Sequence, residues 1–300
     1  MTNIDFLHEL FARLLITYRE LVSYVRDYEQ VVNAAGGTFV NDHIAFRTFA
    51  WQQPAAGISA IARPFEALGY RAAACYQFPE KHLAAQHLEP PAADLPKLFI
   101  SELQTWQLDE ASRNRLARSL DQHRPPLATG FLQQLAHVEE NPDQGEELLE
   151  TLLAHLQRRP WPAPDRSDVL SVSGISQYAA WVLLHGYNVN HFTALINAHG
   201  VEELATIEKT VEALSLAGVP MKAKIEGAAG SRLRQTTTEA VVIDVEVTDE
   251  GQSTTMPWTY AYLELAERGQ RVDPDTGKSG RFEGFLGPQA THLFEMTRRT

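Results

Sequence analysis

The residues of this chain best suited to chemistry are imidazoles and carboxylates that stand at related places in its two halves. Val40-Asn41-Asp42-His43-Ile44-Ala45 resembles Val189-Asn190-His191-Phe192-Thr193-Ala194 when one residue is gapped in each. Glu-Ala-Leu follows each block in text of helical pattern, with Glu66 lying 23 residues after His43 and Glu212 lying 21 residues after His191. Each half then reaches an apolar segment carrying one glutamate, Leu98-Phe99-Ile100-Ser101-Glu102-Leu103 in the first and Ala261-Tyr262-Leu263-Glu264-Leu265 in the second. This shared order predicts duplication of one βαβββ unit. The intervals from histidine to glutamate differ, 59 residues against 73, so coincidence between short matches is the competing explanation.

His43, His191 and Glu264 on neighbouring strands would form a 2-His-1-carboxylate face, which leaves open positions on Fe(II) for substrate and dioxygen. Nitrogen and oxygen ligands suit manganese, nickel or zinc as well, so ligand type does not choose the metal. The histidines are 148 residues apart and Glu264 lies 73 beyond the second, without the local pattern of a motif such as His-Glu-x-x-His. Taken without the repeat, this spacing favours ordinary strand histidines and a surface carboxylate in a chain with 11 His.

Two neighbours favour the metal. Glu264 lies in Trp258-Thr259-Tyr260-Ala261-Tyr262-Leu263-Glu264-Leu265, where a sheet interior would bury a carboxylate that needs a partner. Arg47 follows His43 by four residues, so strand alternation puts both on one face, where a guanidinium could clamp a substrate carboxylate. A salt bridge to Asp42 or Glu66 explains Arg47 equally well. His185 competes with His191 as ligand but precedes the repeated block and is expected to cap or pack. His82, His87, His123, His137 and His155 are expected to be solvated. Lys222 to Gly227 and Leu233 to Thr238 read as a hairpin whose polar inward positions could line a pocket, although two half-exposed strands explain the pattern better unaided. Gly284-Phe285-Leu286-Gly287 reads either as a short lid or as a simple turn.

The elements that must position these groups follow from periodicity. Leu7, Leu10, Phe11, Leu14, Leu15, Tyr18, Leu21, Val22 and Val25 recur at steps of three and four, predicting an N-terminal helix that Gly36-Gly37 ends. Ile44 to Phe49 reads as a strand, Ile58 to Leu68 as a short helix, and Tyr70 to Phe78 and Leu98 to Leu103 as further strands. From about residue 104 to 160 the spacing of Leu132, Leu135, Leu148, Leu149, Leu152, Leu153 and Leu156 is helical. Arg159-Pro160-Trp161-Pro162-Ala163-Pro164 is stiff and marks a boundary. The expected organisation is a single catalytic domain over 1–300, with a first half at about 36–104, a helical insert at about 105–165 and a second half at about 166–300.

Composition sets the outer bounds. The 300 residues are 44% hydrophobic and 21% charged, which excludes disorder and fibre. A net charge of −12 argues against nucleic-acid and anionic-membrane partners. The single Cys75 rules out an internal disulfide and any Cys-rich metal cluster and suits a reducing cytosol. No window reaches the roughly 18 apolar residues of a membrane span, and the first residues lack a signal-peptide pattern, so a cytoplasmic location is expected. Neither a G-x-x-x-x-G-K phosphate loop nor a G-x-S-x-G elbow is present.

The strings Asn41-Asp42-His43-Ile44-Ala45-Phe46-Arg47-Thr48-Phe49, Asn188-Val189-Asn190-His191-Phe192-Thr193, Leu233-Arg234-Gln235-Thr236 and Tyr262-Leu263-Glu264-Leu265-Ala266-Glu267-Arg268 resemble those of the 2-oxoadipate dioxygenase/decarboxylase family, in the same order across most of the chain. The resemblance implies an α+β, vicinal-oxygen-chelate fold of two βαβββ modules around a metal site, similar to hydroxyphenylpyruvate dioxygenase. It implies Fe(II) held by His43, His191 and Glu264, with Arg47 binding a substrate carboxylate and Gln235 contacting substrate. Glu102 would be a vestige of duplication. The implied reaction uses dioxygen to convert 2-oxoadipate into 2-hydroxyglutarate with loss of carbon dioxide, late in lysine breakdown. The chain is shorter than the well-understood bacterial members, which leaves the groups that recognise the far carboxylate unassigned. A non-oxidative metal-dependent lyase or isomerase, and a small-molecule-binding protein without catalysis, are the other classes compatible with the residues. Oligomeric state is not legible.

Overall fold

The apolar stripe that opens the chain becomes helix α1 (Asn3–Leu21), started by a reciprocal capping box between Thr2 and Asp5. Phe6, Leu7, Leu10, Phe11, Leu14 and Tyr18 form its buried face. The stripe does not continue as one helix: it breaks at Val22 and resumes as α2 (Tyr24–Ala34), although Val22 and Val25 stay buried. The computed structural model describes residues 1–272, 277–286, 294 and 297.

The first half then runs β1 (Asn41–Ala50), α3 (Ile58–Ala67), β2 (Arg71–Phe78), β3 (Leu83–Glu89) and β4 (Lys97–Gln104). Strand β3 corrects the reading of His87 as a solvated residue, since its burial leaves His87 inside, while His82 stands before the strand and stays partly exposed. Its short Ala-rich alternation is a weak strand signal. The Glu102 carboxylate accepts the Ile58 N–H at 2.8 Å and so caps α3. Gly57 at φ +110 makes room, because a Cβ there would lie 2.6 Å from Glu102 Oε2.

Three helices follow, α4 (Glu110–Leu120), α5 (Thr129–Ala136) and α6 (Gly145–Gln157). The leucines of α6 are buried and the helix packs on α1. Two further helices precede the next strand, α7 (Arg166–Ile175) and α8 (Gln177–His185). Every residue of α8 from Tyr178 onward is buried, so it has no amphipathic stripe for a sequence reading to find.

The second half contributes β5 (Val189–Leu195), α9 (Ile207–Leu216), β6 (Leu233–Thr237), β7 (Val242–Asp249), β8 (Gln252–Thr259) and β9 (Tyr262–Arg268). Strands β7 and β8 form a separate hairpin, so Trp258 and Glu264 are not on one continuous strand. The main sheet has the order β2-β3-β4-β1-β5-β9-β6. Its centre is the antiparallel pair β1 and β5, flanked by β4 parallel to β1 and by β9 parallel to β5. Two antiparallel bridges, Met221–Thr238 and Glu226–Gln235, pair the segment before β6 with it, a looser version of the expected hairpin.

These registers define a local two-fold relation. His43 pairs with Thr193 and Ala45 with His191, so exchanging His43 with His191 and Ala45 with Thr193 reproduces the pairing. Extended through the parallel partners, the relation exchanges Lys97 with Tyr262 and Phe99 with Glu264. The counterpart of Glu264 is therefore Phe99. Glu102 is three residues further on and faces the helix side, which corrects its reading as the duplicated glutamate.

Candidate metal centre

His43, His191 and Glu264 are brought together as expected. Each offers one ligand atom, all within 4.8 Å of one another, and all three residues are buried. Nε2 of His43 lies 3.4 Å from Glu264 Oε1, and Nε2 of His191 lies 3.4 Å from Glu264 Oε2. Adjacent strands in the order β1-β5-β9 carry the three. Behind them, Tyr18 of α1 donates to the Tyr262 carbonyl at 2.6 Å and approaches the Asn190 carbonyl at 3.4 Å. The opening helix thus fixes the strands that hold His191 and Glu264.

Each histidine is oriented by the residue before it. Asp42 Oδ2 accepts from His43 Nδ1 at 2.8 Å, and Asn190 Oδ1 accepts from His191 Nδ1 at 2.9 Å. Consecutive strand residues ordinarily face opposite ways. Here the register slips between Asn41 and His43 on one strand and between Val189 and His191 on the other, so Asp42 and Asn190 are the extra residues of two β-bulges. The bulges are two-fold mates, and each turns a neighbour toward its histidine. With Nδ1–H committed, both Nε2 lone pairs face Glu264.

The halves differ in what stands behind these acceptors. Asp42 is gripped by Arg268, Nε to Oδ1 at 2.5 Å and Nη2 to Oδ2 at 2.8 Å. Burial alone would raise the Asp42 carboxyl, but Arg268 and the His43 hydrogen bond outweigh it and hold it far below the usual range. Arg268 also donates from Nη1 to the carbonyls of Phe282 and Gly284, at 3.1 and 2.8 Å, and lies over the Phe285 ring. That ring packs edge-on against His43. The segment carrying Phe285 is further tied by Lys97 to Glu283 at 2.6 Å.

Burial lowers both histidines, against the opposing Asp42 hydrogen bond at His43 and with help from the nearby His43 at His191. Burial pushes Glu264 up to about 8, against the hydrogen bond from Gln235. The 3.4 Å contacts are therefore not ion pairs between charged partners. Glu264 Oε2 has no hydrogen-bond partner, while Oε1 accepts from Gln235 Nε2 at 2.6 Å and faces the Thr193 hydroxyl at 3.4 Å. Two neutral imidazoles around a buried carboxyl oxygen without a donor fit a divalent cation, which supplies the charge that burial withholds. The donor set, two nitrogens and one carboxylate, suits iron and other first-row metals.

Arg47 stands four residues along β1 on the same face. It is buried, and its neighbours include the Thr297 hydroxyl at 3.2 Å, the Phe294 carbonyl at 3.3 Å, the rings of Tyr178 and Trp181 at 5.1 and 5.4 Å, and Tyr262, with which it shares a side-chain hydrogen bond. No carboxylate pairs with it among the described residues. Asp42 belongs to Arg268, which removes the expected salt bridge as an explanation. Burial lowers the Arg47 pKa, the sense expected of a desolvated cation.

A cavity of about 30 Å³ joins these groups, lined by His43, Arg47, Ser101, Asn190, His191 and Gln235 and roofed by Phe285, Leu286 and Phe294. A cleft of about 880 Å³ lies on the other side of Phe294. Gly284 to Leu286 thus cover the site, and Gly287 lies outside the described residues. Gln235 does line the cavity, but its amide nitrogen is committed to Glu264. His185 packs between Trp181 and Tyr260 with Nε2 on the Thr259 carbonyl at 3.2 Å, away from the cluster. His123 is buried against Tyr187 and not solvated as expected.

The sequence reading did not assign roles to Arg268 or Asn190, and it weighed Asp42 only as a partner for Arg47. One signal was available for Arg268: it follows Glu264 by four residues, the same interval that put Arg47 beside His43.

A family model described as 2-oxoadipate dioxygenase/decarboxylase matches residues 5–294. The chloroplastic 2-oxoadipate dioxygenase/decarboxylase of Arabidopsis thaliana is 28% identical over 277 residues, spanning 85% of this chain and 67% of that protein. A Ralstonia eutropha JMP134 protein assigned to the glyoxalase superfamily superposes with a TM-score of 0.82 at 22% identity, covering 95% of this chain and 87% of the other. Hydroxyglutarate synthase from Oryza sativa, solved with 2-oxoadipate, superposes with a TM-score of 0.77 at 22% identity, covering 98% and 93%. The α+β architecture is thus the vicinal-oxygen-chelate type that the sequence led us to expect. Among the described residues no helix is long and apolar enough to cross a membrane.

Proposed function

Because the chain belongs to the 2-oxoadipate dioxygenase/decarboxylase family, we propose that it converts 2-oxoadipate and dioxygen into 2-hydroxyglutarate and carbon dioxide, with His43, His191 and Glu264 holding Fe(II). The reaction balances without a second organic substrate, since both atoms of dioxygen leave in the two products. The observation that carries the reading is the buried His-His-Glu cluster with an unpartnered Glu264 oxygen.

Fe(II), when bound, supplies dioxygen activation and a Lewis-acid hold on the 2-oxo acid. The chain's own groups do the rest. Asp42 and Asn190 keep both Nε2 atoms turned inward, and Arg47 offers a planar pair of donors to a substrate carboxylate. Phe285, Leu286 and Phe294 exclude bulk water from the cluster. A cavity of about 30 Å³ holds roughly one water, so a six-carbon acid needs more room than the cavity offers in this arrangement. The same proposal covers a single catalytic domain built of the halves 36–104 and 166–300 with the insert 105–165 between them. It also covers a late place in lysine breakdown and a cytoplasmic location, in keeping with the lone Cys75.

The test is turnover of 2-oxoadipate by Fe(II)-loaded protein under labelled dioxygen, with products identified by mass spectrometry. Label in 2-hydroxyglutarate supports the proposal. Equal turnover under argon would replace it with a non-oxidative lyase or isomerase.

A further inference from the structure

Asn190 holds His191, but only with half of its amide. Its side chain is fully buried, Oδ1 is taken by His191, and Nδ2 has no hydrogen-bond partner. Leaving a buried N–H group unpaired costs about 1–3 kcal/mol, which a ligand oxygen would relieve.

The two-fold relation shows why the protein itself does not supply that oxygen. In the first half, Asp42 is completed by Arg268 from the far parallel strand. Carrying the register six residues past Lys97 and Tyr262 exchanges Arg268 with Leu103, an apolar residue. The bulge at Asn190 therefore has no polar partner behind it and borders the cavity beside Arg47. Gln235 Nε2 is committed to Glu264, and Ser101 lies in hydrogen-bond contact with Tyr178 and the Phe46 carbonyl. Arg47, whose five N–H groups exceed its bonds to Thr297, Phe294 and Tyr262, and Asn190 thus have donor capacity left beside the cavity, and both suit an anion.

Building on the function proposed above, we infer that Asn190 is a substrate-contacting residue, its Nδ2–H donating to a carboxylate or keto oxygen of the 2-oxo acid beside Arg47. One amide then serves two ends: Oδ1 sets the ligand His191, and Nδ2 reads the molecule that binds next to it. An aspartate would serve His191 as well, but it would repel an anionic substrate and offer it no donor.

Asn190→Asp separates the two ends. Iron content and the affinity for 2-oxoadipate are measured on the anaerobic, Fe(II)-loaded chain, the latter by titration calorimetry. The expected result is full iron with 2-oxoadipate bound at least about tenfold more weakly. Asn190→Ala, measured at saturating Fe(II), provides a second variant without the buried charge and should show the same loss. Wild-type affinity in either folded, iron-loaded variant would overturn the inference and leave Asn190 as a partner of His191 alone. Wild-type protein that holds iron yet binds no 2-oxo acid would overturn both the inference and the function beneath it, and that result appears before any variant is compared.

Discussion

Asp42 and Asn190 are two-fold mates, the extra residues of paired β-bulges, and each accepts the Nδ1–H of the histidine that follows it. A carboxylate stands behind one histidine and an amide behind the other. Asp42→Asn should preserve the geometry at His43 while removing the charge that Arg268 grips. Iron affinity, read by chelator competition, should fall about 10–100-fold. Stability in urea should fall by about 3–5 kcal/mol, because Arg268 is left as an uncompensated buried cation. Unchanged affinity would mean that the Asp42–His43 bond does not tune the ligand.

Glu264 is expected to be costly to the fold and necessary to the metal. Glu264→Gln keeps the size of the side chain and gives it an amide N–H that the neutral Nε2 of His43 or His191 can accept. The metal-free variant should melt higher than the metal-free wild type at neutral pH, since the amide is neutral without the proton uptake that burial forces on Glu264. The same variant should bind no iron at stoichiometric loading. A lower melting temperature together with retained iron would count against Glu264 as a ligand.

Arg47 has no carboxylate partner among the described residues, so replacing it leaves no acid stranded. Arg47→Met should keep iron and fold, and should raise the KM for 2-oxoadipate about 10–100-fold through loss of charge-assisted hydrogen bonds. Steady-state kinetics at saturating Fe(II) make the comparison. An unchanged KM with reduced iron would assign Arg47 to the metal centre.

His185 sets part of the acid limit of the fold. Burial against Trp181 and Tyr260 lowers its pKa to about 3, opposed by the hydrogen bond to the Thr259 carbonyl. The folded value lies below the unfolded one, so this contribution is intact above about pH 6.5. It is lost as pH falls from there toward about 3, with a slope on the order of 1.4 kcal/mol per pH unit. His185→Phe should flatten that part of the profile in urea titrations at stepped pH. A variant with the wild-type acid slope would show that His185 is not buried neutral.

Much of this was legible in the chain because burial and alternation write themselves into residue order. The strand around His43, the helix ending at Gly69 and the repeated block around His191 all follow from period and turn residues, and the repeat brought Glu264 to the histidines. Three kinds of fact were not legible. A bulge is one extra residue in a register, so nothing in Asn41-Asp42-His43 shows that Asp42 and His43 share a side. Fully buried helices such as α8 lack the stripe that marks a surface helix. The partnership of Asp42 with Arg268 spans 226 residues and depends on the order of β1, β5 and β9. For the same reason Glu102 passed as the mate of Glu264: both follow an apolar run, and only the register shows that Phe99 holds the equivalent place.

The most direct test of the central claim is the stoichiometry of gas exchange: dioxygen consumed and carbon dioxide released by anaerobically Fe(II)-loaded protein mixed with oxygenated 2-oxoadipate, with shorter, longer and monocarboxylic 2-oxo acids alongside. The expected result is equal amounts of dioxygen consumed, carbon dioxide released and 2-hydroxyglutarate formed, with 2-oxoadipate the best substrate and no uptake by Glu264→Gln. Iron-loaded protein that consumes no dioxygen with any of these acids would contradict the claim.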